Sequence, residues 1–155
     1  MLCMVLCKCN QEVMTSKQRS NGAMKRPKTI RATIKSNKGF YIGDISCVLD
    51  DDTYGNVWGK IGQYQDGECA TDNGYKFAVA STAYGDGCYD DDYGNVYGVG
   101  TAGVLGIVPF ELVAKQNGIQ WGAVFEDKGE ATMVAKDGEF EFTLPNGRKI
   151  KIDTK

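Results

Sequence analysis

The residues most able to do chemistry in this chain are acids, and they come in recognisable words. Residues 50–60 read DDDTYGNVWGK and residues 90–100 read DDDYGNVYGVG. Between them stands Gly85-Asp86-Gly87, one carboxylate flanked by two glycines. None of the 155 residues is histidine. That removes Ser-His-Asp and Cys-His catalysis, His-ligated metals and an imidazole proton shuttle. Carboxylates, Cys, Tyr and Lys remain, and a paired-carboxylate mechanism needs no histidine.

Acidic loops also hold calcium, but an EF-hand needs spaced oxygens, a central Gly and a closing Glu. Counted from Asp86, the third position is Cys88 and the sixth Asp91; counted from Asp90, the fifth is Gly94. Neither register fits. No cofactor is expected; the alternative is a calcium or magnesium ion in an irregular cage of Asp86, Asp90 and Asp92. The two words read as an accidental repeat. In the first, Tyr54, Val57, Trp58 and Ile61 share a helical face, with Asp50, Asp51 or Asp52 as N-cap and Gly55, Gly59 and Gly62 weakening it. In the second, Tyr93-Gly94-Asn95 reads as a turn and residues 96–99 as extended.

The elements that must position these acids are mostly strands. "KTIRATIKS" alternates, with Ile30, Ala32 and Ile34 on one face. "FYIGD" is a second short strand. Residues 75–83 and 102–109 are apolar runs suited to buried strands. "PFELVAKQNG" predicts a two-turn helix with Pro109 as its first residue, Glu111 in its first turn, Lys115 late and Gly118 just past its end. In the C-terminal third, register leaves little freedom. A two-residue Asp137-Gly138 turn pairs Phe140 with Ala135 and Phe142 with Met133. A three-residue Pro145-Asn146-Gly147 loop pairs Phe142 with Ile150, where a two-residue loop would oppose it to Lys151. An Asp127-Lys128-Gly129 loop would set Phe125 against Ala131 and Trp121 against Ala135. Residues 119–152 therefore predict a four-stranded antiparallel meander. The fold class is mainly β: a compact antiparallel domain over residues 28–155 with one or two short helices.

Residues 1–27 lack periodicity and read as a flexible extension, with a fresh start at Met24. Net charge is −2, which gives no bias toward nucleic acid or membrane surfaces. No apolar run approaches the ~18 residues of a span. Six cysteines stand at 3, 7, 9, 47, 69 and 88. "MLCMVLCKCN" has no basic region ahead of its apolar residues, and Lys8 interrupts them. The expectation is a cytoplasmic protein with reduced thiols. Cys3, Cys7 and Cys9 lack the fourth ligand of a structural zinc site.

Three stretches together carry a resemblance: "GFYIGDISCVLDDDTYGNVWG", "FAVASTAYGDGCYDDDYGNVYGV" and "AGVLGIVPFELV". They resemble a family of small bacterial and phage proteins with no assigned activity. Its motifs run Tyr-Ile-Gly-Asp-Pro-Cys-Tyr-Val, Gly-Asp-Gly-x-Tyr and Gly-x-(Ile/Val)-Pro-x-Glu-Leu. Tyr41, Ile42, Gly43, Asp44, Val48, Gly85, Asp86, Gly87, Tyr89, Pro109, Glu111 and Leu112 match. Ile45, Ser46 and Cys47 replace the Pro-Cys-Tyr stretch, so a shared thiol mechanism is not carried over. The resemblance covers residues 39–113 and implies a β-rich domain in a mobile-element or bacterial-cytoplasm setting.

The candidate ligand-binding residues are Asp44, Asp86, Tyr89, Gly85, Gly87 and Glu111. Each has a plainer role: Asp44 as an Asx-turn residue, Asp86 as a bare hairpin tip, Glu111 as a first-turn acid. Tyr41, Tyr84, Tyr93, Tyr97 and Trp58 add aromatic surface or core. The favoured expectation is a non-catalytic binding protein for a protein or small-molecule ligand, with phage–host conflict as its setting. The alternatives are a carboxylate hydrolase or lyase and a structural, assembly role.

Overall fold

The computed structural model describes residues 29–155. The expected extension over residues 1–27 lies outside the described residues. Three antiparallel sheets are built from eleven strands. The first holds β1 (Thr29–Ser36), β9 (Gly129–Lys136), β10 (Glu139–Thr143) and β11 (Lys149–Asp153), in the order β1-β9-β10-β11. The second runs β3 (Gly67–Ala70), β4 (Lys76–Ser81), β7 (Val104–Pro109), β2 (Phe40–Gly43), β8 (Ala123–Phe125). The third is the hairpin of β5 (Gly87–Asp90) and β6 (Val96–Val99). An isolated bridge from Asp91 to Ile152 joins that hairpin to β11.

The second sheet is buried on both faces, which is why β2 and β7 read as unbroken apolar runs. Alternation divides their side chains. Phe40, Ile42, Ala78, Ala80, Leu105 and Ile107 meet the first sheet's Ile30, Ile34, Met133, Phe140, Phe142, Ile150 and Ile152. Tyr41, Phe77, Val79, Val104 and Val108 point the other way, onto Ile45, Val48, Leu49 and Trp58 of a helical layer. The first sheet's outer face carries the exposed charges Arg31, Lys35, Lys136, Lys149 and Lys151.

The C-terminal register is the one derived above. Phe140 pairs with Ala135 and Ile152, Phe142 with Met133 and Ile150, and Glu141 with Lys151. Asp137 and Gly138 have φ of 50° and 83°, the left-handed pair that a two-residue hairpin needs. The leading strand of the meander is different from the expected one. β8 pairs with β2, setting Phe125 against Phe40, and Trp121 lies half-buried with the helical layer. Its place beside β9 is taken by β1, with Ile34 opposite Ala131 and Ile30 opposite Ala135. The reason is length and bulk. β1 pairs along all eight residues of β9, whereas β8 has three. Phe125 reaches the expected core from a different sheet.

The first acidic word is helical, but its winding is wider than an α-helix. Thr53–Ile61 forms a π-helix, closed by the Gly62 amide donating to the Val57 carbonyl. Asp50 Oδ1 accepts from the Thr53 amide, so Asp50 is the capping acid. The wider winding swings Ile61 off the buried face, and it is 77% exposed. Residues 109–118 do not form the expected helix. Pro109 ends β7, Phe110–Leu112 and Gln116–Trp121 are short 3₁₀ turns, and the chain between them is pulled straight. The Val48 carbonyl accepts from both the Ala114 and Lys115 amides and holds it there. The second word is the β5–β6 hairpin, so the two words share letters and not conformation.

Phe142 is fully buried between Met133 and Ile150. Phe142→Ala is expected to cost about 3–5 kcal/mol in urea unfolding. A loss under about 1 kcal/mol would contradict the register.

Candidate functional site

The Gly85-Asp86-Gly87 loop follows β4 and is held from beneath. Thr82 Oγ1 donates to the Gly85 carbonyl at 2.7 Å and accepts from the Gly85 amide at 2.9 Å. The Tyr89 hydroxyl donates to the same carbonyl at 2.8 Å. Gly85 has φ 88°, which lets the chain reverse over Thr82 without strain. Tyr89, expected to touch a ligand, is half-buried and acts as a prop. The side chains left outward are Tyr84, 76% exposed, and Asp86.

Asp44 is fully buried and takes the plainer role. Oδ1 accepts from the Ser46 amide at 2.9 Å and the Ser46 hydroxyl at 2.7 Å, and Oδ2 accepts from the Gly100 amide at 2.7 Å. It caps the short 3₁₀ turn Ile45–Cys47. Burial raises its carboxyl above the usual range, against the pull of these donors.

Asp44 nonetheless connects to the loop. Its partner Gly100 accepts, through the carbonyl, from the Gly103 amide. The Gly103 carbonyl accepts from the Thr82 amide at 2.9 Å, and Thr82 grips Gly85. A relay of hydrogen bonds therefore runs from the buried carboxylate to the exposed loop. Asp44 is thus joined by hydrogen bonds through Gly100, Gly103 and Thr82 to Gly85, the neighbour of Asp86.

Glu111 is remote from this relay. It accepts from the Ser36 hydroxyl at 2.6 Å and the Asn37 amide at 2.8 Å, clamping the β1–β2 turn. Burial raises its carboxyl, but these donors outweigh that and hold it below its ordinary value. Among the described residues, Asp44, Asp86 and Glu111 share no hydrogen-bond partner. Among the described residues no three Asp, Glu or Cys come together to hold a metal. Asp86, Asp90 and Asp92 are exposed.

Asp91 is the acid that sequence reasoning passed over. It accepts from the Tyr93 and Asn95 amides, Asn95 Nδ2 and, at 2.6 Å, the Tyr97 hydroxyl. Burial pushes its carboxyl up, but the four donors together hold it below the ordinary value. Burial and then Asp91 push the Tyr97 hydroxyl far up. The signal was present in the spacing of Asp91, Asn95 and Tyr97. Thr82 was missed too; a hydroxyl three residues before Gly85 was its only trace.

The thiols correct another expectation. Cys47 and Cys88 are disulfide-bonded, whereas Cys69 is free and buried. The expectation of reduced thiols rests on compartment, which says nothing about how cysteines are juxtaposed. Burial first, and then Glu68, push the Cys69 thiol up to about 11, so it is a poor nucleophile at neutral pH. No helix among the described residues is long and apolar enough to cross a membrane.

Comparison with family models, curated proteins and solved structures finds no match to this chain. The motif resemblance stands on its residues alone.

Two outcomes separate the structural acids from the presented one. Asp44→Ala strands the Gly100 amide and is expected to cost about 3 kcal/mol. Asp86→Ala is expected to stay within about 1 kcal/mol of the parent. Urea melts of both variants check this. Asp91 and Glu111 have depressed folded values, so their stabilisation is present above the unfolded carboxylate range near ~4 and lost as pH falls through the folded values. Asp91→Ala is therefore expected to be less stable at neutral pH and to lose less on acidification, as thermal melts between neutral and acid pH would read.

Proposed function

We propose that this protein is a non-catalytic binding module that presents residues 83–87 to a partner. One observation carries the reading. The loop backbone is fixed by Thr82 and Tyr89, while Tyr84 and Asp86 point outward with no hydrogen bond or ion pair among the described residues. A fixed backbone lowers the ordering cost of binding. An exposed Tyr offers apolar area with a polar tip, and a carboxylate beside it selects for cations. The fitting partner is a protein surface that offers a pocket for the ring and an Arg or Lys for Asp86. The motif resemblance makes phage–host or plasmid–host encounters the place to look for it.

The carboxylate-enzyme reading is less well supported. It needs two acids facing one substrate, and Asp44 and Glu111 spend their oxygens on donors of their own fold. An assembly role through sheet edges meets short edges in the second sheet, where β3 has four residues and β8 three, and would rest on the eight-residue edge β1 of the first.

A photo-crosslinking residue at position 84 is expected to form a discrete adduct in host lysate that disappears in Asp86→Ala. The same residue at exposed position 149 serves as control. Equal adducts at both positions, or none at 84, would remove the reading.

A further inference from the structure

Among the described residues, one sheet edge is both long and open. In the first sheet, β11 is covered by the β5–β6 hairpin, through the Asp91–Ile152 bridge and the Lys151 amide donating to Asp92 Oδ1 at 3.3 Å. The edges of the second sheet, β3 and β8, have four and three residues. β1 is different. It has eight residues, pairs with β9 along all of them on one side and is the outer strand on the other.

The direction of its backbone groups follows from one hydrogen bond. The Thr33 amide donates to Glu68 Oε2 at 3.1 Å, so it points away from β9. In an antiparallel strand the amide and carbonyl of one residue point the same way, and alternate residues share that direction. The amides and carbonyls of Arg31 and Lys35 therefore also face outward, and no hydrogen bond holds them among the described residues. Glu68 stands on β3, and its other oxygen lies 3.4 Å from Lys76 Nζ. One carboxylate from the neighbouring sheet thus occupies the middle donor of the open edge.

Charge decides what can pair there. Arg31, Thr33 and Lys35 are the exposed side chains of this stretch. Lys35 has Glu130 at 3.5 Å, but Arg31 lies opposite Val134 and joins no ion pair among the described residues. A second copy pairing through β1 about Thr33 would set Arg31 opposite Lys35, and β1 carries no acid to relieve that repulsion. An extended segment with an acid opposite Arg31 turns the same contact into an attraction.

We propose that the β1 edge is a docking site for an extended, acidic segment of a partner protein, which adds a fifth strand to the first sheet in competition with Glu68 for the Thr33 amide. In strand addition the main-chain hydrogen bonds supply affinity and alternate side chains supply specificity. Once displaced, the Glu68 carboxylate keeps Lys76 as its partner. Until then it guards the edge against unselective pairing, as charges at edge strands do. None of these residues belongs to the 83–87 loop, and the outcome is independent of whether that loop binds a partner.

The test uses the full chain, isotope-labelled for NMR, and two synthetic peptides of the length of β1, one alternating Val with Glu and one alternating Val with Lys. The Glu peptide is expected to slow hydrogen exchange at the amides of Arg31, Thr33 and Lys35 and to bind about tenfold more tightly than the Lys peptide. Glu68→Ala is expected to tighten the Glu peptide several-fold, and Arg31→Glu to reverse the preference between the two peptides. No protection of these amides in either the parent or Glu68→Ala, or equal affinity for the two peptides, would overturn the proposal. A Glu68→Ala chain that runs as a dimer in light scattering would assign the edge to a second copy and overturn it too.

Discussion

Burial of both faces of one five-stranded sheet is the constraint on which the rest of the structure depends. A sheet with two apolar faces cannot stand with one face in water. The β1-β9-β10-β11 sheet covers one side, and the layer from Ile45 to Trp58 covers the other. Strands β4, β7, β2 and β8 therefore each contribute to two cores. In β2, Phe40 and Ile42 enter the first and Tyr41 enters the second. The chain leaves β2 fully buried, and a short turn must follow without stranding its polar groups. Asp44 meets that need by capping the turn with one oxygen and reaching Gly100 with the other.

The same bond reaches toward the surface. A carboxylate kept in the core by three donors fixes the Gly100–Gly103 turn, and that turn fixes Thr82. The exposed loop is thereby tied by hydrogen bonds to a residue fully buried in the core. The tyrosines divide in the same way. Tyr41, Tyr89 and Tyr97 spend their hydroxyls on Asp44, Gly85 and Asp91. Tyr84 and Tyr93 face outward, and Tyr93 lies beneath the Arg148 guanidinium at 4.4 Å. Tyr84 is the exposed aromatic nearest in sequence to Asp86.

The sequence by itself determined what short-range physics controls. Alternation placed β1, β10 and β11, because the period of two is local, and unbroken apolar runs placed β4 and β7. Turn chemistry determined the registers around Asp137-Gly138 and Pro145-Asn146-Gly147, since one slipped residue would have buried Lys151. The absence of histidine bounded the chemistry. Tertiary structure alone decided which strand lies beside β9, because β1 and β8 are both apolar and only their lengths and neighbours separate them. It decided that Glu111 clamps a turn 74 residues earlier in the chain instead of starting a helix. It also decided that Asp44 is buried and Asp86 presented, although both stand beside glycine in similar words. Burial and hydrogen-bond partners from distant segments set those roles, and neither is written in local sequence.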